Sequence, residues 1–285
     1  MIRGYREPDP RLVEDVPVTE NVYATDLASI PRGDGIRDLE MTDRWNTPAG
    51  RPNGGYILAT MLTGLASEMS PEGAPLAPRV AAITYHGPPS NGAAEMRCTP
   101  IRSGRTIQTG DASLWQDDRL IAQLTASFGP RFGGRPSVEL GTPPALPDPE
   151  SLPDPRGMGA PSGGIFDRVD YRLTAPPGFL TGQPTKEPVY ELWQRRSDGQ
   201  VADYATLAFL CDSFIPPIFE LGPDVAQASL TVQLTVHLHR LPTSPWVATR
   251  LRTQHVIDGF HEEDCELWDA DGHLLAQSRQ LAIIV

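Results

Sequence analysis

Asp212 stands in the stretch LAFLCDSF, a carboxylate among apolar neighbours. An unpaired buried charge is costly, so such a group must be hydrogen-bonded or functional. One reading is a helix-end carboxylate bonded to nearby backbone or to Ser213. The other is a general base tuned by partial burial. Gln280 lies between Ala276 and the apolar ending LAIIV. Its amide offers a donor and an acceptor, enough to orient a water or steady a carbonyl oxygen; it also suits a core glutamine bonded to backbone. In TVQLTVHLHR, alternation puts Thr231, Gln233, Thr235, His237 and His239 on one face and Val232, Leu234, Val236 and Leu238 on the other. That polar face is either solvent-facing or part of a site, and a slip in register exchanges Thr231 for Thr235. Asn53-Gly54-Gly55 opens an apolar run. Bare amides of Gly54 and Gly55 at a helix start can hold a carbonyl oxygen as charge builds on it, though a simple turn and cap uses the same residues.

Other reactive types carry less. Cys211 has no histidine partner that spacing can fix, so it reads as a small buried apolar residue. His237 and His239 share a face, and His261–Cys265 is rich in ligand-type atoms. Neither has a metal spacing, and no metal or organic cofactor is expected. No GxSxG, Walker A or GxGxxG stretch occurs, which argues against serine hydrolases, NTPases and dinucleotide enzymes.

The elements that must position these groups come as a repeat. LWQDDRLIAQLTASF (Leu114–Phe128) recurs as LWDADGHLLAQSRQLAI (Leu267–Ile283), and AAITYHGPPS (Ala81–Ser90) recurs within Leu230–Ser244. Thr84 to Thr235 and His86 to His237 are both 151 residues, and Trp115 to Trp268 is 153. Two copies of one fold, associated as an internal pseudo-dimer, are expected. The copies differ where chemistry can sit: Asp212, Thr231 and Gln280 align with Met61, Val80 and Ala126.

Each copy reads as a helix followed by an antiparallel meander, an α+β class. In the first, Val22–Leu27 and Ile36–Met41 alternate like strands. A helix follows Asn53, then strands at Val80–His86, Thr106–Trp115 and Leu120–Phe128. In the second, strand-like segments near Phe166–Leu173 and Val189–Arg196 precede a helix over about Val201–Ser213. Strands Ala228–Arg240, Trp246–Trp268 (broken at Asp258-Gly259) and Leu274–Val285 complete it. Between them the segment Arg135–Pro161 carries eight prolines and no apolar period, a semi-extended linker. The expected division is 1–134, linker 135–161, and 162–285.

Composition bounds the partners. The 285 residues carry a formal charge of −12, with 39% apolar and 21% charged residues. That suits a globular chain of two domains and argues against nucleic-acid binding. Three cysteines cannot form an even disulfide framework. MIRGYREPDPRLVEDV lacks a signal core, and no run reaches the length of a membrane span. A cytoplasmic protein is expected.

Taken in order, GRPNGGYILATMLTGLA, TYHGPPS, LCDSFIPPIF, TVQLTVHLHR and LLAQSRQLA resemble acyl-CoA thioesterases built from two fused hot-dog domains. The resemblance spans nearly the whole chain outside the linker. It implies a tandem double hot-dog fold, each helix wrapped by its sheet, and hydrolysis of an acyl-CoA to free acid and coenzyme A. It also implies that Asp212, Thr231 and Gln280 jointly hold the attacking water, without a cofactor, in a chain that associates as a homo-oligomer. Two other readings remain: a hot-dog hydratase or dehydratase, which would carry a His-Asp constellation, and a non-catalytic acyl-binding module.

Overall fold

A computed structural model describes residues 21–70, 76–130, 137–158 and 161–285. The first copy comprises α1 (Val22–Asp26), β1 (Ile30–Gly33), β2 (Ile36–Met41), α2 (Gly54–Met69), β3 (Pro78–Tyr85), β4 (Gly92–Ser103), β5 (Gln108–Gln116) and β6 (Arg119–Phe128). The second comprises β7 (Val169–Arg172), β8 (Val189–Arg196), α3 (Tyr204–Leu210), β9 (Ser229–Leu238), β10 (Val247–Arg252), β11 (Val256–Ile257), β12 (Phe260–Trp268) and β13 (Leu274–Ile284).

The strands form one antiparallel sheet in the order β1-β2-β4-β5-β6-β3-β9-β13-β12-β10-β8-β7, with β11 paired to β12. The copies meet where β3 pairs with β9; the central pair of that register, Ala82↔Thr235, is 153 residues apart and its neighbour Ile83↔Leu234 is 151 apart, the two offsets of the repeat. The sheet wraps the two helices, which touch each other and pack on its inner face. α2 is apolar on nearly every side, and Tyr56, Ile57, Leu58, Ala59, Met61 and Leu65 are all fully buried. Each large side chain among them contributes roughly 1.5–3 kcal/mol of burial, which holds the helix inside the sheet. No helix among the described residues is long and apolar enough to cross a membrane.

The long helix of the first copy and the strands β2, β3, β5, β6, β8, β9 and β13 fall where the sequence pattern puts them. Four expectations are corrected. Val22–Leu27 is not a strand: the Asn21 side chain accepts from Ala24 N at 3.1 Å and caps a short helix. β4 was missed although Ala94, Met96 and Cys98 are buried in alternation with Glu95, Arg97 and Thr99; the alternation covers only half of the 12-residue strand and stops at Pro100, which adjoins its register irregularity. Of Phe166–Leu173, only the part from Val169 is extended, and a 3-10 turn at Gly164–Asp167 takes the start. The second helix is shorter than Val201–Ser213. Asp203 caps it through Thr206 N at 2.7 Å, and Cys211 closes it. Asp212 therefore sits in the turn beyond the helix, not within it.

The proline-rich segment is held against the second copy. Trp193 Nε1 donates to Pro147 O at 2.8 Å and Trp246 Nε1 to Glu150 at 2.9 Å. Leu146 and Leu152 lie on a cluster of Trp193, Trp246 and Trp268, giving this connection an apolar anchor that its composition did not suggest. Residues 1–20, 135–136 and 159–160, on which parts of the expected leader-free start and linker fall, lie outside the described residues.

Candidate active site

The site is built where the end of α3 meets the start of α2. Asn53 is the N-cap of α2, its Oδ1 accepting from Tyr56 N at 3.0 Å. The other end of the same amide, Nδ2, donates to Asp212 O at 2.8 Å. Gly55 N then donates to Asp212 Oδ2 at 2.7 Å. A residue of the second copy is thus clamped by the helix start of the first. Both glycines are required by this approach. A Cβ on Gly54 would fall 2.8 Å from Asp212 Oδ2 and 3.0 Å from Tyr85 Oη, and one on Gly55 would fall 2.7 Å from Phe209 O.

The geometry changes the part expected of Gly55. The Gly55 amide is given to a protein carboxylate and is not open to a thioester carbonyl, while Gly54 O accepts from Tyr85 Oη at 2.7 Å. The positive end of α2 favours an anion there, but removal from water outweighs it and raises Asp212 to about 7. The Tyr85 phenol is pushed well above its usual value by burial and by the Asp212 charge. It stays neutral, a donor only toward Gly54.

A second cluster lies on the inner face of β9, β13 and β12. Thr231 Oγ1 donates to Gln280 Oε1 at 2.9 Å, and Gln280 Nε2 donates to Glu263 Oε1 at 2.9 Å. Strict alternation would have sent Thr231 outward with Gln233 and Thr235. The register explains the difference: Leu281 pairs with Gln233 but Ala282 pairs with Thr231, so Val232 is an extra residue. This bulge reverses the parity and turns Thr231 inward. Thr235 stays on the outer side, opposite Arg279, and accepts from Gln233 Nε2 at 2.6 Å. Between Thr231 and Thr235, the structure places Thr231 beside Gln280.

α3 packs on β9 and β13, and the Cys211 thiol neighbours that of Cys265 on β12. Those contacts bring the Asp212 turn over the cluster, where its charge is felt at Glu263. Cys211 is buried against Cys265 and free of any disulfide, as are Cys98 and Cys265. One position further along the sheet, Ser229 Oγ and His261 Nε2 lie 2.8 Å apart. Among the described residues Asp212 makes no hydrogen bond to a histidine, so the His-Asp constellation of a hydratase is not formed there. Nor does any group of three or more acidic, histidine or cysteine side chains among them approach a metal-binding cluster. Two surface cavities of about 250 and 390 Å³ lie elsewhere, around Tyr23 and Arg196 and around Arg97 and Trp115.

Sequence reasoning missed Glu263 and Tyr85. Glu263 had a signal: it alternates with Cys265 and Leu267 on β12, and period two puts all three on the buried face. Tyr85 had none, because its role depends on where the α2 start lies in space.

Residues 41–129 match the acyl-CoA thioesterase N-terminal domain, and residues 142–284 match the acyl-CoA thioesterase C-terminal domain. Among solved structures, the chain is similar to a candidate thioesterase II from Thermobifida fusca YX. The TM-score is 0.82 at 25% identity, covering 95% of this chain and 99% of that one. It is similar to a hot-dog protein of unknown function from Alicyclobacillus acidocaldarius (TM-score 0.80, 22% identity, 93% and 98% covered). It also resembles acyl-CoA thioesterase II TesB2 from Mycobacterium marinum (TM-score 0.72, 16% identity, 92% and 98% covered). The architecture is a tandem double hot-dog of α+β class. Uncharacterized proteins of Mycobacterium tuberculosis and Mycobacterium bovis are 30% identical over 99 residues, 35% of this chain; the match spans 33% of each relative's length.

Proposed function

The chain belongs to the acyl-CoA thioesterase family, and from that premise we propose that it hydrolyses an acyl-CoA to a free acid and coenzyme A. The observation that carries this reading is the Asp212 carboxylate, clamped by Gly55 N and raised to about 7, its charge felt at Glu263, which holds the Gln280–Thr231 pair. A base whose pKa lies near neutrality is ionised often enough to act and basic enough to pull a proton.

In the proposed reaction Asp212 takes a proton from water as the water oxygen bonds to the thioester carbonyl carbon. The carbonyl π pair moves onto oxygen. When that oxyanion collapses, the C–S bond breaks with its electron pair on sulfur. The Asp212 proton passes to the thiolate, which leaves as coenzyme A thiol, and the carboxylate is restored. Thr231 and Gln280 hold the water. Gly54 and Gly55 serve mainly by allowing the close approach of Asp212. The two domains, 1–134 and 162–285 with the 135–161 connection, act as an internal pseudo-dimer, and the β3–β9 register centred on residues 82 and 235 supports that view. We place the enzyme in the cytoplasm, where its three thiols stay reduced.

Release of thiol from a panel of acyl-CoAs, with hydration of an enoyl-CoA followed in parallel, tests the reading. Thiol release alone supports it. Hydration without thiol release would establish a hydratase, and binding without either would leave an acyl-binding module.

The phosphates of coenzyme A need cations in a chain of net charge −12. Arg97, Arg240, Arg250 and Arg252 are engaged by Glu95, Glu139, Glu191 with Glu266, and Asp264. Arg102 and Arg105 have no ion pair among the described residues and are the better candidates. KM for an acyl-CoA should rise with salt, since exposed charges are screened within about 8–10 Å at 0.1–0.15 M. A KM indifferent to salt would mean that these phosphates are not held by exposed arginines.

Gly55→Ala tests the clamp. The added methyl meets the Phe209 carbonyl and the Asp212 side chain, so the turn must move. Overpacking of this kind costs about 1–3 kcal/mol, and kcat should fall at least about 10-fold through displacement of the base. A variant with unchanged Tm and turnover would show that the close approach is not required.

A further inference from the structure

Glu263 is an acid with no assigned part, and it is 4% exposed in the middle of β12. It stands directly opposite Gln280 in the β12–β13 register. Its Oε1 accepts from Gln280 Nε2 at 2.9 Å, whereas its Oε2 is buried with no hydrogen-bond partner among the described residues. An acid does not sit in such a place for packing alone, because a buried polar atom left unpaired is destabilising. We infer that Glu263 is a positioning residue: by accepting from Gln280 Nε2 at Oε1, it fixes which way round the Gln280 amide lies and thereby sets the hydrogen-bond polarity of the whole site. The inference rests on the proposed roles of Gln280 and Thr231.

Donors and acceptors are fixed in turn along this chain of contacts. A primary amide has two N–H donors on one end and only acceptor capacity on the other. With Nε2 turned to Glu263, Gln280 Oε1 must face Thr231. The Thr231 hydroxyl then spends its single hydrogen on that oxygen, at 2.9 Å. What Thr231 has left for a water is lone pairs. What Gln280 has left is its second N–H. A water between them is obliged to donate toward Thr231 and Asp212 and to accept from Gln280, which presents its remaining lone pair for attack. If the amide were reversed, Thr231 would donate to the water and hold back that lone pair.

The charge state of Glu263 agrees with this role. Burial and the nearby Asp212 carboxylate hold it well above the usual carboxylate range, which favours the neutral acid. The proton belongs on Oε2, leaving Oε1 as the acceptor. A neutral acid can steer Gln280 without placing a second negative charge beside Asp212. The arrangement predicts that a neutral acceptor of the same shape replaces Glu263, and that an apolar side chain does not.

Glu263→Gln, Glu263→Met and the unaltered protein should be compared by kcat, KM and pH–rate profile on one acyl-CoA. Glu263→Met should lose about 10–100-fold in kcat, the scale of a misplaced reacting group, with KM within about 3-fold. Glu263→Gln should restore kcat to within about 3-fold and leave the acid limb of the profile in place. Full activity in Glu263→Met, or Glu263→Gln as impaired as Glu263→Met, would overturn the inference. So would an acid limb moved to lower pH in Glu263→Gln, because it would show that Glu263 had been charged. The Gln280 side-chain NH2 resonances, read by 15N-labelled NMR of the full chain, report the contact independently of turnover. They should be protected from exchange in the unaltered and Glu263→Gln proteins and exposed in Glu263→Met. Protection unaltered in Glu263→Met would likewise overturn the inference. If Asp212→Asn is fully active while this NMR pattern holds, the catalytic reading fails and the Glu263–Gln280 contact stands.

Discussion

Asp212→Asn should lower kcat by about 10²–10⁴-fold, the usual contribution of a general base, while KM changes little. The substitution keeps the shape and the Oδ acceptor for Gly55 N, so the clamp at the helix start survives. It removes only the ability to take a proton. In the unaltered enzyme, activity should rise with pH through about 7, where burial places the Asp212 carboxyl, and fall below it as the base becomes protonated. Stability runs the other way. The folded state holds the Asp212 proton up to about 7, the unfolded state only to the ordinary value of 3.8. The folded protein therefore binds more protons between those limits, and this group makes it less stable as pH rises through them. Asp212→Asn removes that term, so its Tm at pH 8 should equal or exceed that of the unaltered protein. A folded Asp212→Asn enzyme with full thiol release would eliminate the proposed base.

Gln280→Ala should cut kcat by about 10²–10³-fold, as the loss of a positioned donor does elsewhere. It writes the residue of the first copy, Ala126, into the second, and Ala126 is itself fully buried in its strand. The fold therefore has a precedent for alanine at this position, and Tm should change modestly. Thr231 and Glu263 both lose their partner, so the effect on turnover should exceed that of Glu263→Met. The reverse change, Ala126→Gln, should create no second site, because Met61 and Val80 supply neither a base nor a hydroxyl. A tight, non-hydrolysable acyl-CoA analogue should saturate near one per chain. Two equivalent active sites per chain would defeat this account.

The part of each copy in which period-based reading worked best is the part that repeats with simple periodicity. α2 shows helical spacing because it is enclosed on most sides, and β6 and β13 alternate because each turns one face to a helix. Asp212 and Gln280 were legible as polar groups in apolar runs, since a buried polar side chain contradicts its surroundings in any register. β4 was missed because its alternation, Ala94 to Thr99, is short and ends at Pro100, after which the strand is exposed on every residue.

What the tertiary structure alone decided is where separate segments meet. A single extra residue, Val232, turns Thr231 inward, and one bulge is invisible to a rule that counts by two. The partners of Asp212 lie 157 and 159 residues away at Gly55 and Asn53. Their spacing follows from how one helix end abuts another, and no local propensity encodes it. The sequence could mark Gly54 and Gly55 as positions without side chains. Only the packing of α3 against α2 shows that the space they leave is filled by the Asp212 turn, because a glycine records where something must come close but not what comes.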